Sequence, residues 1–307
     1  MERTKQKLIV ITGPTASGKT SLAVDLAENF NGEIISADSM QVYRYMNIGT
    51  AKPKKEEMRD ILHHMIDVVD PDEEFNASLY RTMAAPKIKG VIDRGKVCFI
   101  VGGTGLYLKI LLRGIMKCPP VDPTLRKNLR LKWEKNGPAF LHKELERLDP
   151  EAASRIHPND RARLLRSLEI IELTDRKVTE LTGGHRFQDC YYKTLKFCLE
   201  MEREELYKRI NERSLFMVDH GLVKETISLI EKGYSPDLKP MKSIGYRHAV
   251  NLIEDRWNKE KMISELQKDT RRYAKRQLTW FKSDHELIWV RPDNSDLIRK
   301  KIREFID

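Results

Sequence analysis

The sequence predicts an α/β protein in which a parallel sheet core carries a mostly helical insertion. In the first part of the chain, short apolar runs alternate with helical patterns, as in a parallel sheet covered by helices. The first apolar run leads at once into the glycine-rich residues 13–20 and then into a helical pattern. This is the order that a phosphate-binding P-loop requires. The core is therefore expected to be P-loop NTPase-like.

Each core element follows from its local pattern. Strands are predicted at residues 7–12, 33–36, 64–68, 97–101, 194–199 and 287–290. Apolar residues at helical spacing predict helices at residues 20–30, 54–62, 77–94 and 104–112. Most of the remaining C-terminal third is charged and helical in pattern.

The insertion begins where a proline-rich segment, residues 118–123, interrupts the alternation. From there to about residue 182 the leucine spacing predicts helices alone. Asp160 precedes the helical stretch 161–173, where its carboxylate can accept hydrogen bonds from the free N–H groups of the first turn. The predicted domains are a P-loop core of residues 1–117 and 190–307 and a helical insertion of residues 118–189.

Composition limits the classes of function. Lys and Arg number 56 against 46 Asp and Glu, and the formal charge of +10 favours a polyanionic partner, although a merely basic protein remains possible. No apolar run approaches the length of a membrane span, and none resembles a signal peptide at the N-terminus. The cysteines form no C-x-x-C pair, so we expect reduced thiols and a cytoplasmic protein without a membrane partner. They are Cys98, Cys118, Cys190 and Cys198.

The glycine-rich stretch predicts a phosphate site. It matches G-x-x-x-x-G-K-[ST] and consists of Gly13, Pro14, Thr15, Ala16, Ser17, Gly18, Lys19 and Thr20. The glycines let backbone N–H groups turn toward an anion, and the following helix adds the positive end of its dipole. Lys19 is expected to reach the terminal phosphate and Thr20 to hold Mg²⁺. The motif does not identify the molecule that carries the phosphate.

Two features separate this chain from an ordinary P-loop hydrolase or kinase. Such proteins usually carry a strand that ends in a Mg²⁺-binding acid, but here the strand at 97–101 runs into the glycine turn 102–105, which offers the hydroxyl of Thr104. The strand at 33–36 instead delivers Asp38 to the carboxyl edge of the sheet. A carboxylate there suits a general base for an incoming nucleophile. A plain cap, or an indirect Mg²⁺ ligand through water, remains open.

With these residues the chain resembles the bacterial tRNA dimethylallyltransferases, also called tRNA isopentenyltransferases, essentially from end to end. Beyond the P-loop the matching segments are residues 38–44, 46–53, 102–107, 157–160 with Arg161, Arg163 and Arg166, 244–247 and 270–281. The resemblance implies a prenyltransferase that uses dimethylallyl diphosphate. The acceptor in that family is N6 of adenosine 37, in the anticodon stem-loop of tRNAs that read codons beginning with U.

The resemblance also implies roles for individual residues. The P-loop would bind the diphosphate, with Mg²⁺ offsetting its charge. Asp38 would accept the N6 proton, Thr104 would line the reaction channel, and Arg213 would help to bind the diphosphate. From its pattern alone, Arg213 resembles a solvated charge on a helix. The residues implied to contact tRNA are Asp38, Ser39, Met40, Gln41, Asn159, Asp160, Arg161, Ala162, Arg163, Met241, Lys242, Ser243, Ile244, Gly245, Tyr246, Arg272, Lys275 and Arg276.

An adenosine stacked in an anticodon loop reaches a buried donor only if the base is extruded into a channel. Lys268, Arg272 and Arg276 recur every four residues and predict a cationic helix face toward RNA. The neighbouring aromatics Tyr273 and Trp280 are expected to pack in the protein, with stacking on bases as the alternative. We expect a monomer.

Three other functions remain open. An adenylate isopentenyltransferase shares the loop and the base, but the helical insertion and the basic residues 270–281 favour tRNA. A P-loop kinase of a small metabolite needs a nucleotide site and an arginine lid, for which the sequence shows no signature. A non-catalytic RNA-binding protein is disfavoured by the intact Lys19, Thr20 and Asp38.

Overall fold

The computed structural model describes residues 5–115, 118–183 and 191–307. Within them the strands are β1 (Gln6–Thr12), β2 (Gly32–Ser36), β3 (His63–His64), β4 (Val97–Val101), β5 (Tyr192–Leu199) and β6 (Leu287–Val290). The helices are α1 (Lys19–Asn29), α2 (Lys55–Met58), α3 (Ala77–Asp93), α4 (Gly105–Arg113), α5 (Pro123–Leu148), α6 (Pro150–Arg155), α7 (Arg161–Thr174), α8 (Val178–Gly183), α9 (Arg203–Asp219), α10 (Leu222–Glu231), α11 (Tyr246–Ile253), α12 (Lys259–Phe281) and α13 (Ser295–Ile306). None of these helices has the length and apolar character that crossing a membrane needs.

The strands form a parallel sheet in the order β3-β2-β4-β1-β5-β6. The three strands β2, β4 and β1 are neighbours, and their ends are level because Val101 pairs with both Ile11 and Ser36. The loops that leave these strands therefore emerge side by side at the carboxyl edge, where open parallel sheets bind ligands. The predicted α/β class with a parallel core is confirmed.

The core that supports this edge contains residues of the sheet and of the helices α1 and α13. Ile11 of β1 is fully buried and belongs to one apolar cluster with Ala23 and Leu26 of α1 and Ile298 and Ile302 of α13. Strands buried on both faces are continuous apolar runs rather than alternating ones, which is the pattern that β1 and β4 show. The P-loop therefore follows a strand whose last five residues are buried.

The chain falls into two compact units, Met1–Leu112 with Cys190–Asp307 and Arg113–Asp189. The predicted insertion, residues 118–189, lies within the second unit, and its predicted end falls outside the described residues. Each unit has a core of its own, so each can be described separately.

The helices of the second unit bury Leu141 and Leu145 of α5 against Leu164 and Leu168 of α7. α5 is broken at Gly137, whose φ is 78°, a conformation that glycine adopts without a steric penalty. At the start of α7 the Asp160 carboxylate accepts a hydrogen bond from the backbone N–H of Arg163 at 3.2 Å. The cap predicted from the sequence is therefore present.

Two elements of the core are shorter than predicted. The strand expected at 64–68 is reduced to His63–His64, because Met65 and Asp67 have φ of 65° and 54°, which an extended strand cannot accommodate. The helix expected at 54–62 is a single turn, which ends at Arg59 with φ of 49°. The strands expected at 97–101 and 287–290 have the predicted bounds.

Candidate active site

The P-loop connects β1 to α1 in a conformation that depends on glycine. Gly13 and Gly18 have φ of 143° and 86°, and a Cβ on Gly13 would lie 2.9 Å from the carbonyl oxygen of Leu199. Gly18 is also the N-cap of α1, so no side chain occupies the free N–H groups of the first turn. The loop therefore presents backbone donors at a helix N-terminus, as an anion site requires.

In the loop, Ser17 is buried and Lys19 is half-buried, and both are poorly compensated, whereas Thr20 is exposed. The hydroxyl of Ser17 is buried without a hydrogen-bond partner in the described part of the chain. Lys19 Nζ donates to the carbonyl of Pro14 at 2.6 Å. Burial lowers the pKa of Lys19 to about 8, with Arg213 acting in the same direction and Asp38 in the opposite one. A bound anion would give Ser17 a partner and favour the charged form of Lys19.

Arg213 reaches the P-loop from α9, although 198 positions separate it from Thr15. Its Nη1 lies 3.4 Å from Thr15 Oγ1, and burial lowers the pKa of its guanidinium. Asp38 and Glu57 oppose that shift through their charges. Two half-buried cations beside a loop rich in N–H donors form a seat for a multiply charged anion. The sequence alone had favoured a solvated charge at this position, and that interpretation is wrong.

Asp38 stands two residues beyond β2 at the same edge. Its Oδ1 accepts hydrogen bonds from the backbone N–H groups of Met40 at 2.8 Å and Gln41 at 3.2 Å. No hydrogen bond within the described residues involves Oδ2. The capping interpretation thus accounts for one oxygen, and the other is free to act as a base.

Thr104 follows β4 and is tied to the loop that carries Asp38. Its Oγ1 accepts from the backbone N–H of Ser39 at 3.0 Å, and its own N–H donates to the carbonyl of Ala37 at 3.2 Å. Tyr273 of α12 lies near Thr104, and burial, followed by the charge of Asp38, raises the pKa of its phenol. Tyr273 is a site residue that the sequence reasoning assigned to packing.

Glu225 of α10 was also missed, and it organises one wall of the site. Its carboxylate accepts from the backbone N–H groups of Asn47, Ile48 and Gly49 at 2.9 to 3.2 Å, and from the hydroxyl of Tyr246 at 2.6 Å. Two segments singled out by the sequence, 46–53 and 244–247, are thereby held together. A lone glutamate on a helix carries no local signal of such a contact.

The P-loop, the Asp38 loop, Arg213 and Tyr273 border one cavity of about 1100 Å³. Thr104, which was predicted to line the reaction channel, and Glu225 are not among the residues that line this cavity. Its lining includes Lys19, Asp38, Arg213, Ser243 and Tyr273. Pockets for single small ligands have volumes of about 300–1000 Å³. The cavity is therefore large enough for a small phosphorylated donor and part of a second substrate.

Comparison with known proteins identifies the family that uses this arrangement. A model described as IPP transferase matches residues 41–284, and one described as isopentenyl transferase matches residues 6–71. tRNA dimethylallyltransferase 2 of Geotalea uraniireducens is 45% identical, covering 98% of this chain and 97% of that protein. The chain belongs to the tRNA dimethylallyltransferase family.

Solved structures agree with the membership of this tRNA dimethylallyltransferase family. The tRNA isopentenylpyrophosphate transferase of Bacillus halodurans has a TM-score of 0.71 and 40% identity, covering 98% of this chain and 96% of that one. A eukaryotic dimethylallyltransferase acting on tRNA has a TM-score of 0.78 and 30% identity, covering 92% and 74% of the two chains. The predicted family and prenyltransferase class are confirmed, which sets aside the kinase and the non-catalytic RNA-binding protein.

Several residues that the family resemblance links to tRNA line the cavity. They are Asp38, Ser39, Met40, Gln41, Ser243 and Ile244. Gly245, with φ of 98°, turns the chain next to Tyr246. Met241 and Tyr246 are fully buried, so their side chains shape the wall from behind. Lys242 is exposed and pairs with Asp237 at 2.8 Å.

The exposed side of α12 carries a further group of predicted RNA contacts. A second depression, of about 530 Å³, is bordered by Arg272, Lys275, Arg276, Thr279, Trp280 and Ser283. Lys268, expected in the same cationic row, pairs with Glu265 at 2.9 Å. Arg272 likewise pairs with Asp269, at 3.5 Å. Within the described residues, Lys275 and Arg276 are therefore the members of this group without an ion pair.

In the helical unit, taken by itself, the predicted RNA contacts stand at the start of α7. The exposed ones are Asn159, Arg161, Ala162 and Arg163. Arg161 pairs with Glu134 at 3.0 Å and lies 5.7 Å from the ring centroid of Trp133. Arg163 pairs with Asp160 at 3.3 Å. The protein itself thus partly neutralises these two cations.

Proposed function

We propose that this chain transfers the dimethylallyl group of dimethylallyl diphosphate to N6 of adenosine 37 in tRNAs that read codons beginning with U. The new bond joins N6 to C1 of the allylic group, and the bond from C1 to the diphosphate oxygen breaks. The leaving diphosphate keeps the electron pair, and the N6 proton passes to the free Oδ2 of Asp38.

One observation carries the proposal. A seat for a multiply charged anion and a carboxylate with a free oxygen share one cavity, and Asp38 influences the pKa of both Lys19 and Arg213. An exocyclic adenine nitrogen is a weak nucleophile, so removal of its proton during attack lowers the barrier. A base in this position contributes about 10²–10⁴-fold to the rate.

The residues of the P-loop also fit Mg²⁺. Thr20 places an exposed hydroxyl in the first turn of α1. No group of three or more His, Cys, Asp or Glu side chains in the described ranges could hold a metal. Mg²⁺ in phosphate sites commonly uses few protein oxygens and takes the rest from phosphates and water. Bound to Thr20 and the donor, it would neutralise charge on the leaving diphosphate.

The partner that we propose is the anticodon stem-loop, with adenosine 37 extruded into the cavity. The basic depression on α12 supports an RNA partner rather than free AMP, because AMP would not extend to a second cationic surface. A tRNA substrate and the free thiols of Cys98, Cys118 and Cys198 favour the cytoplasm; Cys190 lies outside the described residues. We propose a monomer, since one chain supplies the P-loop, Asp38 and Arg213 that this reaction uses.

Incubation with radiolabelled dimethylallyl diphosphate tests this function. An unmodified tRNA transcript with adenosine at position 37 should take up label and release one diphosphate per label, and nucleoside digestion should place the label on N6. The same transcript with guanosine at position 37 is the matched control and should stay unlabelled. Label in AMP but not in tRNA would assign the chain to adenylate prenylation instead.

A further inference from the structure

Gln277 of α12 bridges the two loops that frame the active site. Its Oε1 accepts the backbone N–H of Thr15 in the P-loop at 2.8 Å, and its Nε2 donates to the carbonyl of Gly103 at 2.9 Å. The side chain is only 6% exposed. Both ends of one amide are therefore used, each on a different loop. A buried amide with both ends satisfied fixes the distance between its partners.

The Gly103 side of this bridge is shaped around the amide. A Cβ on Gly103 would lie 2.2 Å from Gln277 Nε2, whereas its next neighbours stand at 3.5 Å. The φ of Gly103 is not in the left-handed region. Glycine is thus needed at this position for the approach of Gln277 rather than for the backbone conformation.

The bridge connects groups with different tasks in the reaction. Thr15 belongs to the diphosphate seat and lies 3.4 Å from Arg213. Gly103 is followed by Thr104, which is tied to the Asp38 loop through Ser39 at 3.0 Å. The helix that supplies Gln277 also presents Arg276 to the basic depression. α12 therefore contacts the P-loop, called the donor loop, and the turn at Gly103 and Thr104, and it also carries the proposed RNA surface.

We propose that Gln277 is a positioning residue that holds the donor loop and the Thr104 turn at the separation needed for transfer. This rests on the proposed function. Rates of group transfer depend steeply on such separations, and a misplacement of about 1 Å can lower a rate about 10²-fold.

Gln277→Met tests the proposal, because methionine keeps the length of the side chain and removes both polar ends. Gln267→Met is the matched control: Gln267 lies on the same helix and donates to the carbonyl of Asn211 at 3.3 Å, away from the two loops. Single-turnover rates at saturating tRNA and donor are measured per active site. Gln277→Met is expected to lower that rate about 10- to 100-fold, and Gln267→Met to leave it within about twofold of wild type.

Dissociation constants for tRNA and dimethylallyl diphosphate separate positioning from general damage. Both are expected to change less than about threefold in Gln277→Met, because Lys19, Arg213 and the RNA-facing cations remain. A merely structural role would lower the melting temperature and the fraction of active protein but leave the rate per active site unchanged.

A double-mutant cycle with Gly103 gives a second test. Gly103→Ala places a methyl group where the amide of Gln277 lies, and is expected to lower the rate as Gln277→Ala does. Gln277→Ala removes the side chain that the new methyl group would clash with. The double variant should therefore be at most about threefold slower than the slower of the two single variants. Multiplying effects would show independent roles and overturn the proposal, as would a rate in Gln277→Met equal to that of Gln267→Met. If the wild-type protein transferred no label to tRNA, that result would instead contradict the proposed function itself.

Discussion

The donor seat, which consists of the P-loop (residues 13–20) and Arg213, differs from the helical unit in whether its buried charges have ion-pair partners. In the donor seat, Lys19 and Arg213 are half-buried beside each other and have no ion pair within the described residues. In the helical unit, the fully buried Glu169 is met by Arg126 at 2.5 Å and by Arg166 at 2.9 Å. Charge that the protein leaves uncompensated marks the place of a ligand, and charge that it neutralises internally serves the fold.

Replacing a carboxylate by its amide should therefore lower the reaction rate near the donor seat and the stability in the helical unit. The largest effect is expected at Asp38. Asp38→Asn keeps an oxygen that can cap the N–H groups of Met40 and Gln41 but removes the base. The single-turnover rate of tRNA prenylation should fall about 10²–10⁴-fold, with the dissociation constants for tRNA and donor nearly unchanged. A turnover near the wild-type value would remove the base role from Asp38.

Glu169→Gln, the corresponding change in the helical unit, should act on stability instead. It leaves Arg126 and Arg166 facing a neutral amide, which should lower the free energy of unfolding by about 3 kcal/mol. Denaturant titration measures that loss, and the KM for dimethylallyl diphosphate should remain within about twofold of wild type. Asp38→Asn serves as the control, with a change in unfolding free energy below about 1 kcal/mol. Equal destabilisation by both variants would erase the contrast.

The unpaired lysine also predicts a pH dependence that is specific to the donor seat. The pKa of Lys19 is lowered to about 8 in the free protein, and the diphosphate binds the charged form. Donor affinity should therefore be constant below pH 8 and decline above it, approaching a tenfold loss per pH unit, with proton uptake on binding. Calorimetry between pH 7 and 9.5 in two buffers of different ionisation enthalpy checks this. A dissociation constant independent of pH would show that Lys19 does not contact the donor.

The smallest expected effect is on the salt dependence of tRNA binding, and it should differ between exposed arginines of the two units. Arg276→Ala should reduce the slope of log K for tRNA against log salt by about 0.7–0.9, the loss of one phosphate contact. Arg163→Ala should reduce the slope less, because Arg163 already pairs with Asp160 at 3.3 Å. Filter binding at several salt concentrations measures both slopes. An unchanged slope for Arg276→Ala would move α12 away from the RNA surface.

Local pattern was sufficient for parts of the fold and not for others. The strand at 97–101 was predictable because a continuous apolar run in a buried parallel strand leaves few alternatives. The segment 64–68 is less apolar, since it contains His64 and Asp67, and Met65 and Asp67 adopt positive φ, which no pattern of hydrophobicity reports. The prediction of a helix at 54–62 was wrong for the same reason, because Arg59 also adopts a positive φ and ends the helix.

The site shows the same division. The P-loop and Asp38 were found because a glycine motif and the end of a strand are local features. Arg213 was indicated only by the family resemblance, since its charge is typical of any solvated helix. Tyr273 and Gln277 were missed because their partners, Thr104 and Thr15, lie more than 150 positions away in the chain.

The sequence by itself determined the parallel core, the phosphate loop and the family of this protein. These depend on spacing within short segments and on the order of those segments. Only the tertiary structure decided which charges are compensated and which two loops one glutamine holds. Those properties arise where the ends of β2, β4 and β1 meet α9 and α12, and contacts between distant segments are not specified by the local pattern of either one.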